Sequence, residues 1–403
     1  YLSSMKPVSV LKGNQLARER RNGMGLRKLL VVSQFVISVL LIIATLVVYR
    51  QLQFMQNKNL GLNKDHVVST FHYNELAPQF ESFRNELLSN PAIREVTRSS
   101  RLPSGRLLDS YGSAKVQMES DSLEPTKVDL KFITIDHRFA PTYELAVAAG
   151  QNYLQDQGGG SRSFMVNEAA VKMMGWKSAT EAVGKKISYA NREAEIGGVF
   201  RDFNFESLHQ AVQPMIFFIP RDSTFFTFIS VRLDGARVPE GLEHLKSVWQ
   251  RTLPQYPFDY QFLEERYGQL YEAEQRQGRV FIGFAMLAIL IACLGLFGLT
   301  AFIIQQRVKE IGIRKVLGAS FAGLLGLLSL DFMKLVGIAL VIAVPAGWYV
   351  MQHWLEDFAY RIAIGWQVFA LAGIISIAVA FLTVGFQCAR AALANPINSL
   401  RNE

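Results

Sequence analysis

The sequence contains only two cysteines, Cys293 and Cys388, and both lie in apolar runs. This number excludes a disulfide framework and a multi-cysteine metal site. Charged residues are also scarce, at 19% of the chain, whereas a soluble protein of this size carries roughly a quarter. The deficit falls on the flanks, because residues 51–278 have an ordinary soluble composition. The composition therefore favours a membrane protein that carries one soluble domain.

The motifs of common enzymes are missing as well. The nearest approach to a phosphate-binding loop, Gly184-Lys185-Lys186, lacks both the earlier glycine and the hydroxyl that would hold Mg²⁺. The six histidines form no H-x-x-x-H pair, and His66 with His72 reads as a surface pair on one strand. No G-x-S-x-G turn occurs, and nothing near Asp202 and Glu206 marks a catalytic cleft. We therefore predict no catalytic residue, no metal site and no cofactor.

Four apolar runs are long enough to cross a membrane, which requires about 20 residues. They are Leu29–Tyr49, Val280–Ile304, about Phe332–Gln352, and Trp366–Phe386. Asp331 and Lys334, three residues apart on a helix, are expected to pair at a membrane edge. The predicted fold is a membrane protein with four transmembrane α-helices and an α+β extracytoplasmic domain inserted between helices 1 and 2.

The distribution of basic residues predicts the orientation of these helices. Lysine and arginine crowd before the first run, between the second and third, and after the fourth, which favours a cytoplasmic location for those segments. The net charge of +8 therefore reflects the membrane rather than nucleic acid. The expected location is the cytoplasmic (inner) membrane.

The four helices divide the chain into seven predicted segments. They are a cytoplasmic juxtamembrane segment at 1–28, transmembrane helix 1 at 29–50, the extracytoplasmic domain with stalk helices at 51–278, transmembrane helix 2 at 279–304, a cytoplasmic coupling loop at 305–322, transmembrane helices 3 and 4 within 323–388, and a cytoplasmic tail at 389–403.

The inserted domain mixes strand-like and helix-like segments without a strict βαβ rhythm, which favours an α+β fold. Strands are predicted at His66–Tyr73, Gly112–Met118, Val128–Ile135, Glu195–Phe200, Met215–Ile219 and Phe226–Leu233, and helices at Leu76–Ser89, Asn167–Met174 and Gly241–Leu253. Gly158–Gly160 is expected at a loop tip. Arg50–Asn57 and Leu263–Arg279 are predicted to be helical stalks that continue into the first and second membrane helices, and a flexible linker is the alternative.

The loop between the second and third runs reads QRVKEIGIRKVLGAS over Gln306–Ser320. A simple topology anchor and a docking surface for a cytoplasmic partner both fit this basic, amphipathic sequence. The string resembles the cytoplasmic loop of FtsX-like permeases, the MacB-type subunits of ABC transporters. The segments Asn167-Glu168-Ala169-Ala170 and GGVFRDFNFESL, from Gly197 to Leu208, are similar to the periplasmic core domain of that family.

The resemblance implies a non-catalytic permease subunit with its FtsX-like domain at 279–396 and a MacB-like core domain outside the membrane. In the family, a separate cytoplasmic ABC ATPase dimer hydrolyses ATP, and the membrane helices transmit its motion to the outside domain during export or efflux. Further partners implied are the lipid bilayer, another permease half and a periplasmic adaptor. Carried over to this chain, the residues that couple to the ATPase are Arg307, Lys309, Glu310, Gly312, Arg314, Lys315 and Gly318.

An internal repeat adds one expectation. Met5–Asn14 (MKPVSVLKGN) matches Ala394–Glu403 (ANPINSLRNE) in pattern, as if each followed a fourth membrane helix. We therefore expect this chain to be the second half of a tandem permease of the type found in Bacteroidetes. Two alternatives stay open for its function. One is an FtsX-like scaffold that regulates cell-wall hydrolases, and the other is a membrane sensor receptor.

Overall fold

The computed structural model describes residues 14–118, 122–154, 163–306 and 321–393, and the chain divides into two compact units. The first, called here the membrane unit, comprises the described parts of Tyr1–Phe54, Ala273–Asp357 and Arg361–Glu403. The second, the inserted domain, comprises Met55–Glu272 together with Phe358–Tyr360. The predicted loop tip at Gly158–Gly160 lies outside the described residues.

Ten α-helices occur in the part of the chain that the structure describes. They are α1 (Asn14–Asn57), α2 (Phe80–Leu88), α3 (Phe139–Tyr143), α4 (Glu168–Met173), α5 (Ala179–Ala182), α6 (Val238–Thr252), α7 (Leu263–Gln269), α8 (Glu272–Gln306), α9 (Phe321–Leu355) and α10 (Trp366–Leu393). Two short 3₁₀ turns, Asn74–Gln79 and Ser223–Phe225, precede α2 and the tenth strand.

Eleven strands occur in the same described residues. They are β1 (Val67–Phe71), β2 (Ile93–Ser99), β3 (Ser110–Gln117), β4 (Leu123–Thr134), β5 (Val147–Gly150), β6 (Ser163–Asn167), β7 (Lys186–Tyr189), β8 (Arg192–Phe200), β9 (Met215–Phe218), β10 (Phe228–Leu233) and β11 (Tyr260–Phe262).

The membrane unit is built from α1, α8, α9 and α10. Each contains a window apolar and long enough to span a bilayer, within Gly25–Asn57, Glu272–Gln306, Ser329–Leu355 and Trp366–Arg390. The four predicted transmembrane helices and the domain between the first two are therefore confirmed. Many large apolar side chains on these helices face outward, as expected where lipid rather than protein is the neighbour.

Small residues allow these helices to approach closely. Ala292 and Ala343 are buried, and a side chain at Gly347 would press against Ile43 at 3.0 Å. Gly298, by contrast, has open space around it. At the start of the third apolar run, Lys334 Nζ lies 3.7 Å from Asp331 Oδ1, which agrees with the pair expected there.

The inserted domain contains two sheets. The first is antiparallel, with strand order β11-β1-β10-β2, and α2 and α6 cover one of its faces. The second has the order β5-β8-β6-β9-β4-β3-β7, and because β7 also pairs with β8, it closes on itself. The pairs β4–β9 and β6–β8 are parallel, and the others in this sheet are antiparallel. An apolar core fills this second sheet, with Trp176 and Phe164 among its buried side chains.

Several details differ from the sequence-based expectation, among them the short helices α3 and α5, which were not predicted. Strands β2, β5, β6, β7 and β11 were not predicted, because each is short or carries polar residues. The predicted straight stalk over Leu263–Arg279 is broken, since α7 ends at Gln269 and α8 starts at Glu272. Helix α1, in contrast, continues without interruption to Asn57, as predicted.

Candidate functional site

One short segment of the inserted domain contacts several distant parts of the chain. This linking segment, Phe203–His209, follows strand β8 and has most of its side chains buried. The backbone N–H of Asn204 donates to the Leu60 carbonyl at 2.7 Å. The hydroxyl of Tyr267 donates to the Asn204 carbonyl at 3.0 Å, and the N–H of Leu208 donates to the hydroxyl of Tyr271 at 3.0 Å.

The same segment also holds the residues that lie between α9 and α10. The N–H of Ala359 donates to the His209 carbonyl at 3.2 Å, and the N–H of Tyr360 donates to the Leu208 carbonyl at 3.3 Å. The imidazole of His209 stacks on the ring of Phe358, with centroids 4.4 Å apart. Phe358 is only 4% exposed, so this stacking removes an aromatic ring from water.

The contacts of the linking segment lie close to the points where the chain passes between the membrane unit and the inserted domain. There are four such points, between residues 54 and 55, 272 and 273, 357 and 358, and 360 and 361. Leu60 follows the first point by six residues, Tyr271 precedes the second by one, and Phe358–Tyr360 is the whole stretch between the last two. The linking segment therefore bonds to the chain close to every point at which the inserted domain is attached.

The two sequence segments that resemble the core domain of MacB-type permeases meet next to this linking segment. The Asp202 Oδ1 atom accepts a hydrogen bond from the N–H of Ala169 at 2.9 Å. In return, the N–H of Asp202 donates to Glu168 Oε2 at 2.9 Å. Because these residues follow the parallel strands β6 and β8, the pairing of those strands brings the two segments together.

Asn167 fixes this junction from the inside. Its side-chain oxygen accepts hydrogen bonds from the N–H of Ala170 at 3.1 Å and the N–H of Met215 at 2.9 Å, and its amide donates to the Gln213 carbonyl at 2.9 Å. Asn167 is fully buried. Both polar atoms of its side chain thus form hydrogen bonds, which join the start of α4 to the start of β9.

A cleft of about 720 Å³ opens beside this junction. Its lining includes Lys58, Lys172, Asp202 and Tyr360, with the Lys58 ammonium 4.4 Å from the centre of the Tyr360 ring. The pKa of Asp202 lies above its ordinary value because the carboxylate is partly withdrawn from water. The charge of Glu168 acts in the same direction, while the Ala169 N–H opposes it. Gly61 permits close contact here, since a Cβ atom would lie 2.6 Å from the Asp202 carbonyl oxygen.

The arrangement consists of hydrogen bonds that join segments distant in the sequence. Asp202 and Glu206 are not paired with each other, because Glu206 Oε1 accepts from the N–H of Leu107. Among the described residues, no group of three histidine, cysteine or acidic side chains is placed to hold a metal ion. Burial raises the pKa of Tyr267 well above its ordinary value, so its hydroxyl stays protonated as a donor.

The predicted coupling residues, from Arg307 to Gly318, lie outside the described residues. Tyr267, Tyr271 and Phe358 were missed in the sequence. The sequence shows only that each is an aromatic residue close to the end of a domain. Such residues are too common for this position alone to identify a functional residue. His66 lies just before β1 and His72 just after it, and His72 is buried, so they do not form the surface pair that the sequence suggested.

The C-terminal part of the chain matches a family model. Residues 282–396 match the family described as FtsX-like permease C-terminal. This segment has the sequence pattern of an FtsX-like permease domain. The FtsX-like domain starts within α8 and extends just beyond α10, and so includes the basic loop that carries the sequence resemblance.

Three solved structures are similar to part of the chain. The periplasmic region of MacB from Actinobacillus actinomycetemcomitans is 14% identical, with a TM-score of 0.36, and the match covers 54% of this chain and 97% of that one. The extracellular domain of the noncanonic ABC-type transporter YknZ from Gram-positive bacteria is 13% identical, with a TM-score of 0.32 and coverages of 48% and 97%.

A domain of a protein described as a permease from Porphyromonas gingivalis is 18% identical, with a TM-score of 0.29 and coverages of 47% and 84%. No curated protein matches the chain.

Proposed function

We propose that this chain is the membrane subunit of an ABC system that converts ATP hydrolysis by a separate ATPase into motion of its inserted domain. The observation that carries the proposal is the match of residues 282–396 to the FtsX-like permease C-terminal family. The chain itself contains no phosphate-binding loop motif, so the nucleotide chemistry is assigned to a partner.

The proposed orientation places the inserted domain outside the cytoplasm. Its support is the concentration of lysine and arginine before α1, between α8 and α9, and after α10, which is typical of cytoplasmic segments. The ATPase then docks on the loop that contains Arg314 and Lys315. Both termini share that side of the membrane.

The linking segment supplies a physical route for coupling. A movement of α1, of α8 or of the residues between α9 and α10 displaces neighbouring residues of the chain. Those neighbours are hydrogen-bonded to Phe203–His209. Each of these hydrogen bonds contributes about 1 kcal/mol, and leaving a buried partner unpaired costs about 1–3 kcal/mol. Movement at any of these attachment points is therefore transmitted to the linking segment of the inserted domain. Such motion serves export and the activation of an outside enzyme equally well.

Reversal of two charges in the cytoplasmic loop tests the proposal. The double substitution Arg314→Glu and Lys315→Glu should abolish co-purification of the ABC ATPase from membranes, because an acidic loop repels the surface that a basic loop attracts. Membrane insertion should stay normal, since the apolar runs are unchanged. The yield of ATPase recovered with the tagged chain is the measurement.

The matched control is the pair Lys186→Glu and Lys246→Glu, which reverses the same amount of charge on exposed residues of the inserted domain. This variant should recover the ATPase at the normal yield. Recovery at an undiminished yield with the Arg314 and Lys315 variant would refute docking at this loop.

A further inference from the structure

A second cavity lies on the closed sheet of the inserted domain, and the coupling proposal makes no use of it. Its volume is about 450 Å³, within the range of pockets for small ligands. Side chains from neighbouring strands form one aromatic wall. Tyr111 on β3 stacks on Phe132 of β4 at 4.7 Å between centroids, and Phe132 stacks on Phe218 of β9 at 5.6 Å.

The wall runs from solvent to the core. Phe164 on β6 meets Phe218 edge-on at 5.9 Å and is only 1% exposed, whereas Tyr111 is 56% exposed. Phe225, another lining residue, is 54% exposed. Exposed aromatic rings are costly in contact with water, and a flat apolar ligand that covers them removes this cost.

Two arginines line the same cavity. Arg192 follows a tight turn in which Ala190 and Asn191 both have positive φ, at 53° and 56°, as in a type I′ hairpin. The turn places the guanidinium carbon of Arg192 5.4 Å from the centre of the Phe164 ring. Arg221, which follows Pro220 after the end of β9, also lines the cavity.

The two arginines of the cavity are close enough to influence each other. Burial lowers the pKa of Arg192, and the nearby positive charge of Arg221 lowers it further. Glu193 also lines the cavity, yet within the ranges that the structure describes no carboxylate forms an ion pair with either guanidinium. Two positive charges in proximity repel each other. A bound anion that accepts hydrogen bonds from both guanidiniums offsets this repulsion.

Packing alone does not explain these features. Stacking on Phe164 accounts for the position of Arg192, and cross-strand pairing accounts for Tyr111 beside Phe132. Neither accounts for a second arginine on the cavity or for the exposed ring of Phe225.

We propose that this cavity binds a small anion with a flat aromatic body, such as an aryl carboxylate or sulfonate. The aromatic wall takes the body of the ligand, and Arg192 and Arg221 bind its anionic group. This inference stands apart from the coupling proposal, because binding requires neither the ATPase nor motion.

The test is titration of the purified full chain in detergent with 2-naphthoate, followed by saturation-transfer NMR. The native chain should bind it saturably. The double substitution Arg192→Gln and Arg221→Gln should weaken binding at least about tenfold, because each charge-assisted hydrogen bond contributes about a factor of ten. Arg221→Gln alone affects an exposed side chain, so its weaker binding cannot be attributed to misfolding.

Two controls complete the experiment. Lys246→Gln removes one positive charge from an exposed site on α6 and should leave binding unchanged. The neutral analogue 2-naphthalenemethanol should bind at least about tenfold more weakly than 2-naphthoate to the native chain. The proposal is overturned by equal binding of the two compounds, by equal affinity of the double variant, or by no saturable binding at all.

Discussion

The four-stranded sheet and the seven-stranded sheet belong to one inserted domain, yet only the four-stranded sheet buries a polar face. The seven-stranded sheet encloses an almost wholly apolar core. The four-stranded sheet has an apolar face under α2 and α6, while its other face buries polar side chains. These polar residues are Ser69, Thr97, Ser99, Ser230 and Arg232.

The buried polar face is satisfied by specific partners from the segment around α3. The hydroxyls of Tyr143 and Ser230 lie 2.6 Å apart, and Arg232 Nε donates to the Thr142 carbonyl at 2.6 Å. Asp136 accepts from the hydroxyl of Thr97 and from the N–H groups of Arg98 and Arg138. Apolar packing tolerates small shifts, whereas such a network fixes a single arrangement. The comparison indicates that the four-stranded sheet depends on a few polar groups.

Removal of the Asp136 carboxylate should have the largest effect. Asp136→Ala leaves three hydrogen-bond donors without their acceptor, so it should destabilise the four-stranded sheet by about 3–5 kcal/mol. Hydrogen exchange of the amides of β2 in the full chain is the measurement. Glu195→Ala, which removes an exposed carboxylate from the seven-stranded sheet, should change stability by less than about 0.5 kcal/mol. Equal effects of the two substitutions would contradict the comparison.

A smaller effect is expected from His72, which lies near the rings of Phe80 and Phe226. Burial, and then the charge of Arg98, lower its pKa to about 4. The unfolded chain, with a histidine pKa of about 6.5, therefore binds the proton more readily between these values. Stability conferred by neutral His72 is present above pH 6.5 and is lost as the pH falls towards 4.

The substitution His72→Phe keeps a ring in this position and removes the titration. Among the described residues, neither ring nitrogen of His72 forms a hydrogen bond of ordinary length and angle, so phenylalanine loses little there. Relative to the variant, the native chain should lose on the order of 1–3 kcal/mol between pH 6.5 and 4. Thermal unfolding across that range measures the difference. Parallel pH profiles for the two proteins would show that His72 does not titrate in this way.

The difference between apolar and polar buried faces also explains which strands could be predicted from the sequence. Val67–Phe71 and Phe228–Leu233 carry enough β-branched and aromatic residues to be recognised. Ile93–Ser99 has arginines, a glutamate, a threonine and a serine at five of its seven positions and was missed. A polar face normally indicates solvent, and the partners that bury Thr97 and Ser99 come from distant parts of the chain.

The membrane helices were predictable because apolar length alone defines them. The candidate site could be predicted only in part. The segments containing Glu168 and Asp202 stand out in the sequence, yet their contact follows from the parallel pairing of β6 with β8 across 33 residues. The break between α7 and α8 has a similar origin, since Tyr267 and Tyr271 both bond to the linking segment there. Local helix propensity does not reveal such tertiary bonds.

The most direct test of coupling is hydrogen exchange of the linking segment in proteoliposomes that contain the chain and its ATPase. If the segment transmits motion, addition of ATP should change the exchange of the Asn204, Leu208 and Tyr360 amides, while the amides of β7 in the closed sheet should keep their rates. Identical exchange of the Asn204, Leu208 and Tyr360 amides with and without ATP would contradict the account.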